Sequence, residues 1–305
     1  MITSIFSKSK PINFIIVAVF VVALFLITNV NDLYASFGVI INAISKLAIA
    51  IFYVFLLDFI ISKNNLTKKN SYGIMVFGLL LGMIPETLKH LDLLLANLFV
   101  LFALRRLISL HSNLHIKKKL FDAGFWIMLA TLFYFWAFLF FAVIIVALIY
   151  HSKNDIKNII IPFIGMLTVI LLLISFNILK YDTFIRDSNF SRYASVDYSG
   201  YNSAIFITRF TVLFASFIWT LIYFFKGIKD KNKRLKPSFF LIAWSSIIAV
   251  LVAIIAPMKN GSEYIFLFAP YAIIMANYIE GVSEKWFREI FISLFIVVII
   301  LSLLL

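Results

Sequence analysis

The chain has 305 residues, 63% of them hydrophobic and only 13% charged, with 27 Lys and Arg against 14 Asp and Glu. Its apolar runs approach the ~20 residues that a helix needs to cross a bilayer and lack any alternating polar pattern, which excludes a soluble domain and a β-barrel and indicates an all-α, polytopic membrane helix bundle. The net charge of +13 reads as loop charge rather than a nucleic-acid surface, and the absence of cysteine excludes disulfides and thiol chemistry.

Lys8 and Lys10 precede the first apolar run, 12–28. That run exceeds the apolar core of a signal peptide and further spans follow, so it is expected to stay as the first helix. Spans follow near 37–61, 72–84 and 91–109, then a basic connector, RRLISLHSNLHIKKKL, suited to lying on anionic headgroups. Next comes FDAGFWIMLATLFYFWAFLFFAVIIVALIY, residues 121–150, which is too long for one ordinary span and barely long enough for two. The remaining spans lie near 158–179, 204–225, 239–256, 264–280 and 287–305. Only the connector 180–203 is more than a turn, and residues 1–305 are expected to form a single membrane domain.

Basic residues decide how often 121–150 crosses, because they collect in cytoplasmic loops. With the N-terminus inside and two crossings, 20 Lys and Arg lie inside and 5 outside (Lys89, Lys180, Arg186, Arg192 and Lys259). One crossing gives 14 against 11 and strands the basic loop KGIKDKNKRLK outside. The stretch should therefore cross twice, with its tip near Tyr134–Ala137, for about 11 crossings in all. Two arms of about 14 residues are only roughly 21 Å long, so other helices must shelter them.

Charges within spans are the informative residues, since each costs ~2.5 kcal/mol or more at a helix centre. Lys46 lies about nine residues into the second span, roughly 13 Å deep. It reads either as a cation awaiting a phosphate or as half of a structural pair with a carboxylate. Arg209 lies about six residues inside its span, where its planar fork would suit a phosphate. The segment MIPETLKHLD places Glu86, Lys89, His90 and Asp92 together between the third and fourth spans. There they could serve acid–base work or simply complement a helix dipole. The loop KYDTFIRDSNFSRYASVDYSGYNS mixes Arg186 and Arg192 with acids and aromatics, which would suit a sugar or headgroup. Four histidines fall short of a di-iron set, so no metal or cofactor is expected.

The Gly-containing FDAGFWIMLATLFYF, followed at once by a second apolar helix, resembles the short paired helices of GT-C glycosyltransferases. Through SIFSKSKPINF, FDAGFWIMLATLFYF and FLFAPYAIIMANYIE the whole chain is similar to an uncharacterised multi-pass inner-membrane family of flavobacteria. The resemblance implies a bacterial inner-membrane protein, whose N-terminus Lys8 and Lys10 place in the cytoplasm, and a GT-C-like transferase using a polyprenyl-phosphate donor at the outer face. In that role Asp32 or Asp92 would accept the acceptor's proton, while Lys46, Arg209, Glu86, Lys89, His90, Arg186 and Arg192 would bind substrate. The first outer loop, NVNDLYAS, departs from GT-C enzymes in being short and carrying a single acid. This departure points to the alternative, a non-catalytic component that transports a lipid-linked substrate or joins an envelope assembly.

Overall fold

A computed structural model describes residues 2–30, 32, 36–151, 155–184 and 193–304. Among them are twelve α-helices and no strand: α1 (Ile2–Phe6), α2 (Pro11–Asn29), α3 (Phe37–Lys63), α4 (Tyr72–Met83), α5 (Leu91–Ile108), α6 (Ile116–Phe133), α7 (Phe141–His151), α8 (Ile156–Tyr181), α9 (Ala204–Ile228), α10 (Lys236–Ile255), α11 (Ile265–Gly281) and α12 (Lys285–Leu304). Seven helical segments, built on α2, α3, α5, α8, α9, α10 and α11, are long and apolar enough to cross a membrane; Tyr72–Met83 and Phe135–His151 are shorter apolar helices. The protein is an all-α integral membrane protein.

Local chemistry sets the helix ends. Pro11 and Pro237 sit in the first turns of α2 and α10, where the missing amide costs nothing. Asp155 caps α8 by accepting from the Lys157 amide at 3.0 Å, and Ser203 caps α9 by accepting from the Phe206 amide. Pro85 stops α4 by forcing Ile84 out of the helical region (φ −130°, ψ 75°).

The chain divides into two compact units, Met1–Leu94 with Asp197–Lys229 and Met258–Leu305, and Leu95–Val196 with Asp230–Pro257. At the core of the first unit lies α4, all twelve of its residues buried, packed on α11 and also touched by α2, α3 and α12. A helix apolar all round belongs in such a place. It spans only about 18 Å, well short of a ~30 Å hydrocarbon core. Most of α11 is buried too, and its Tyr271 hydroxyl donates to Ser216 of α9 at 2.6 Å.

In the second unit the chain through 116–151 goes out and comes back. At one end Lys119 donates to the Ser109 carbonyl at 2.6 Å, Ser238 donates to the Ile108 carbonyl at 2.8 Å, and Tyr150 stacks on Phe240 at 5.1 Å. That end therefore collects the finish of α5, the start of α6, the finish of α7 and the start of α10. At the other end the Trp136 indole donates to the Tyr193 carbonyl at 3.0 Å, and the Ser195 amide donates to the Ile255 carbonyl, where α10 finishes. The break is at Tyr134 (φ −147°, ψ 108°), followed by a 3-10 turn, Phe135–Phe140. The hairpin has the expected tip, but its arms are unequal. The outgoing α6 has 18 residues because Ile116–Leu120 extend it, whereas α7 has 11. Gly124 and Gly165 let α6 and α8 meet backbone to backbone: a Cβ at Gly124 would sit 2.1 Å from the Pro162 carbonyl oxygen.

Candidate functional site

The side chains of interest gather in the first unit, at the end where α3, α9 and α11 begin. Lys46 lies nine residues into α3 and is 5% exposed. Helical side chains tilt toward their own N-terminus, so its ammonium is carried toward the start of α3. There it donates to Asp32 Oδ2 at 2.8 Å, Asn29 Oδ1 at 2.9 Å and the Lys89 carbonyl at 3.3 Å. These three acceptors match the three N–H groups of an ammonium. The carboxylate it meets is 37% exposed, so this pair is buried on one side only.

Arg209 lies five residues into α9, is likewise 5% exposed, and donates from Nη1 to Glu86 Oε1 at 2.9 Å. Its Nε and the other oxygen of Glu86 are buried without a hydrogen-bond partner. The guanidinium also lies over the Phe206 ring, 5.5 Å from its centroid. Both ion pairs converge on one piece of chain. Glu86 sits in the 3-10 turn Pro85–Leu88 that follows α4, and Lys89, whose carbonyl holds Lys46, is the next residue after it. A second break, the 3-10 turn Ser262–Tyr264 ahead of α11, packs on that turn. Gly261 makes the approach feasible: its φ of +91° suits glycine, and a Cβ there would lie 2.9 Å from Ile84 and 3.3 Å from Phe206.

His90 joins the two breaks. Asn260 accepts from the Ser262 amide at 3.1 Å, which turns its NH2 toward His90 Nε2, also at 3.1 Å. Burial, and after it the Lys46 ammonium, pushes His90 below the ordinary imidazole value, with Asp92 opposing. The imidazole is therefore neutral at pH 7, with Nε2 as acceptor. Asp92 itself is exposed in the first turn of α5, and the Lys89 side chain is exposed as well. The structure thus brings together Asp32, Lys46, Glu86, Lys89, His90, Asp92 and Arg209, while Arg186 and Arg192 lie outside the described residues. Among the described residues no group of three or more His, Asp or Glu is placed to hold a metal ion.

Residues 1–304 match the model of a family of unknown function, DUF6427. The chain belongs to that family. No curated protein and no solved structure matches it. The DUF6427 match covers both units, so the Lys46 and Arg209 end lies within the family's shared length.

Three residues at this end of the DUF6427 chain escape a reading of sequence. Asn29 and Asn260 are uncharged and stand at the edges of apolar runs, where they read as loop. Glu263 is 1% exposed, with neither carboxyl oxygen hydrogen-bonded, yet it follows the turn signal NGS and also reads as loop. Nearby Lys259, pushed below its ordinary value by burial, stacks on the Tyr198 ring at 4.9 Å.

Proposed function

We propose that the chain is a multi-pass protein of a bacterial inner membrane, N-terminus cytoplasmic, whose Lys46 and Arg209 end faces outwards and receives the phosphate of a polyprenyl-phosphate-linked substrate without catalysing its transfer. One observation carries this reading. The Asp32 carboxylate, reachable from water, occupies an oxygen site on a deeply buried ammonium whose other two acceptors are neutral. A phosphate oxygen arriving from the bilayer surface satisfies that site equally well, displacing an acid that water can then solvate. Arg209 is less open to exchange, since Glu86 is only 22% exposed, and it supplies positive potential behind the first contact. The function that fits is reception or passage of a lipid-linked substrate, alone or within an envelope assembly.

A GT-C-like transferase is the second reading. In its favour is the neutral His90 beside the exposed Asp92, an acceptor of protons at the mouth of the same end. Against it stands Asp32, which is engaged with Lys46 and poorly placed to act as a base.

Native mass spectrometry of the purified protein with added polyprenyl phosphate separates these readings. The wild type should retain the lipid, Asp32→Asn should retain more, and Lys46→Met should lose it while remaining folded. Equal retention by wild type and Lys46→Met would overturn the binding site. Release of free polyprenyl phosphate from a sugar-bearing donor, abolished by His90→Gln, would transfer the assignment to the glycosyltransferase.

A further inference from the structure

Glu263 takes no part in the lipid-phosphate reading, and its setting calls for a use of its own. It lies in the turn Ser262–Tyr264 and is 1% exposed. Both its carboxyl oxygens are inaccessible and lack a hydrogen-bond partner, and it forms none of the ion pairs found among the described residues. An ionised carboxylate held that way would be very expensive, so the group is carried here as the neutral acid. Its surroundings are nevertheless built for an anion. The backbone amides of Asn260, Gly261 and Glu263 itself lie beside the carboxyl without a hydrogen bond to it, and Gly261 between them takes the left-handed conformation. Successive amides in such a turn form an anion-binding concavity.

The charged and titratable groups on the packed elements are few. The turn after α4 contributes Glu86, Lys89 and His90; α9 contributes Arg209, and the turn ahead of it Tyr198 and Tyr201; α11 contributes Tyr271; and the turn's own segment contributes Lys259 and Tyr264. Of the two cations among these besides the exposed Lys89, Lys259 is occupied with Tyr198, whereas Arg209 leaves its Nε buried and without a partner. The Glu86 Cβ lies only 3.8 Å from where a Cβ on Gly261 would stand, so the partner of Arg209 and the turn of Glu263 are immediate neighbours. Both stretches are irregular backbone at the ends of apolar helices, Tyr72–Met83 and Ile265–Gly281, and irregular backbone among membrane helices is tolerated where it serves a cavity or an ion site.

We propose that Glu263 is a proton-exchanging site: a neutral acid in the closed state that gives up its proton when the two turns part, its carboxylate then held by the amides of Asn260, Gly261 and Glu263 and the free side of Arg209. The exchange is a simple ionisation, in which the O–H bond breaks, its electron pair stays on Glu263, and the proton passes to water. It stands whether or not a lipid phosphate binds at Lys46. Such a site could couple a proton gradient to movement of the turns.

Dicyclohexylcarbodiimide tests this, because it adds only to a protonated carboxyl and favours apolar surroundings. Applied to the whole protein in native membranes, with the labelled peptide located by mass spectrometry, it should mark Glu263 at mildly acidic pH. The label should decline as pH rises, and Glu263→Gln should abolish it. Arg209→Gln should move the decline to higher pH, since the carboxylate loses its cation, whereas a merely structural Arg209 would leave the profile in place. Absence of labelling, or labelling that ignores pH, would overturn the proposal. Protection by sodium but not potassium at fixed pH would also overturn it, assigning a metal-cation site instead.

Discussion

Lys46 and Asp32 form a pair with unequal ends, and the inequality predicts unequal mutants. The lysine is almost wholly buried, whereas the aspartate reaches water. Replacing Lys46 by Met leaves an acid that solvent can stabilise and removes the cost of burying a cation, so the change should be neutral or mildly stabilising. Replacing Asp32 by Asn leaves the buried ammonium with neutral acceptors only and should destabilise, though by less than the ~3–5 kcal/mol for breaking a wholly buried pair. Thermal unfolding of both variants in detergent checks the order; a greater loss for Lys46→Met would refute it. His90 gives a second test at this scale, with a definite sign. Its folded pKa lies below the unfolded value, so the unfolded chain binds the proton more readily. The stability tied to the neutral imidazole is full above the ordinary value and is lost as pH falls through the lowered one. Unfolding followed across that range should show this loss in the wild type and a flatter profile in His90→Gln.

At the scale of elements, the α6–α8 contact is the most exacting. A Cβ at Gly124 meets the Pro162 carbonyl at 2.1 Å, and backbone cannot rotate away as a side chain can. Gly124→Ala should therefore cost roughly 1–3 kcal/mol through overpacking. Gly227, near the end of α9, has nothing within 4 Å of its would-be Cβ. Alanine there should be neutral or gain up to ~1 kcal/mol from helix propensity. Parallel unfolding of the two variants makes each the other's control, and equal effects would contradict the packing. The hairpin containing Gly124 was readable beforehand from charge alone, because only a double crossing keeps KGIKDKNKRLK with the other basic loops. Its unequal arms were not readable: the lysines of IKKKL look like connector, yet they form the first turns of α6. The same bias explains the site. Lys46 and Arg209 stand out as charges within apolar runs, whereas Glu263 sits where a run meets a turn and only its burial distinguishes it. That Lys46 needs a carboxylate is legible, but which acid supplies it is not, since the contact with Asp32 depends on the tilt of a side chain from α3.

At the scale of the whole molecule, sidedness is the claim on which the proposed function rests, and cysteine labelling can test it cleanly because the chain contains no cysteine. Asn232 lies in the basic loop between α9 and α10, and Ser199 in the 3-10 turn that precedes α9. A single helix of 25 residues, about 37 Å long, separates the two positions, and that is enough to cross the membrane once. A cysteine at Ser199 should react with a membrane-impermeant maleimide in intact cells. One at Asn232 should react only after the membrane is opened. The prediction also bears on every residue of the site, because Arg209 enters α9 from the Ser199 end and Lys46 is joined to it through the turn 85–89. If Asn232 labels from outside, α9 runs the other way. Arg209 and the Glu86 turn would then face the cytoplasm, and a substrate arriving at the outer leaflet could not reach them. If Ser199 alone labels, the end bearing Asp32, His90 and Glu263 is open to the outer face, where both a lipid phosphate and a proton gradient are at hand.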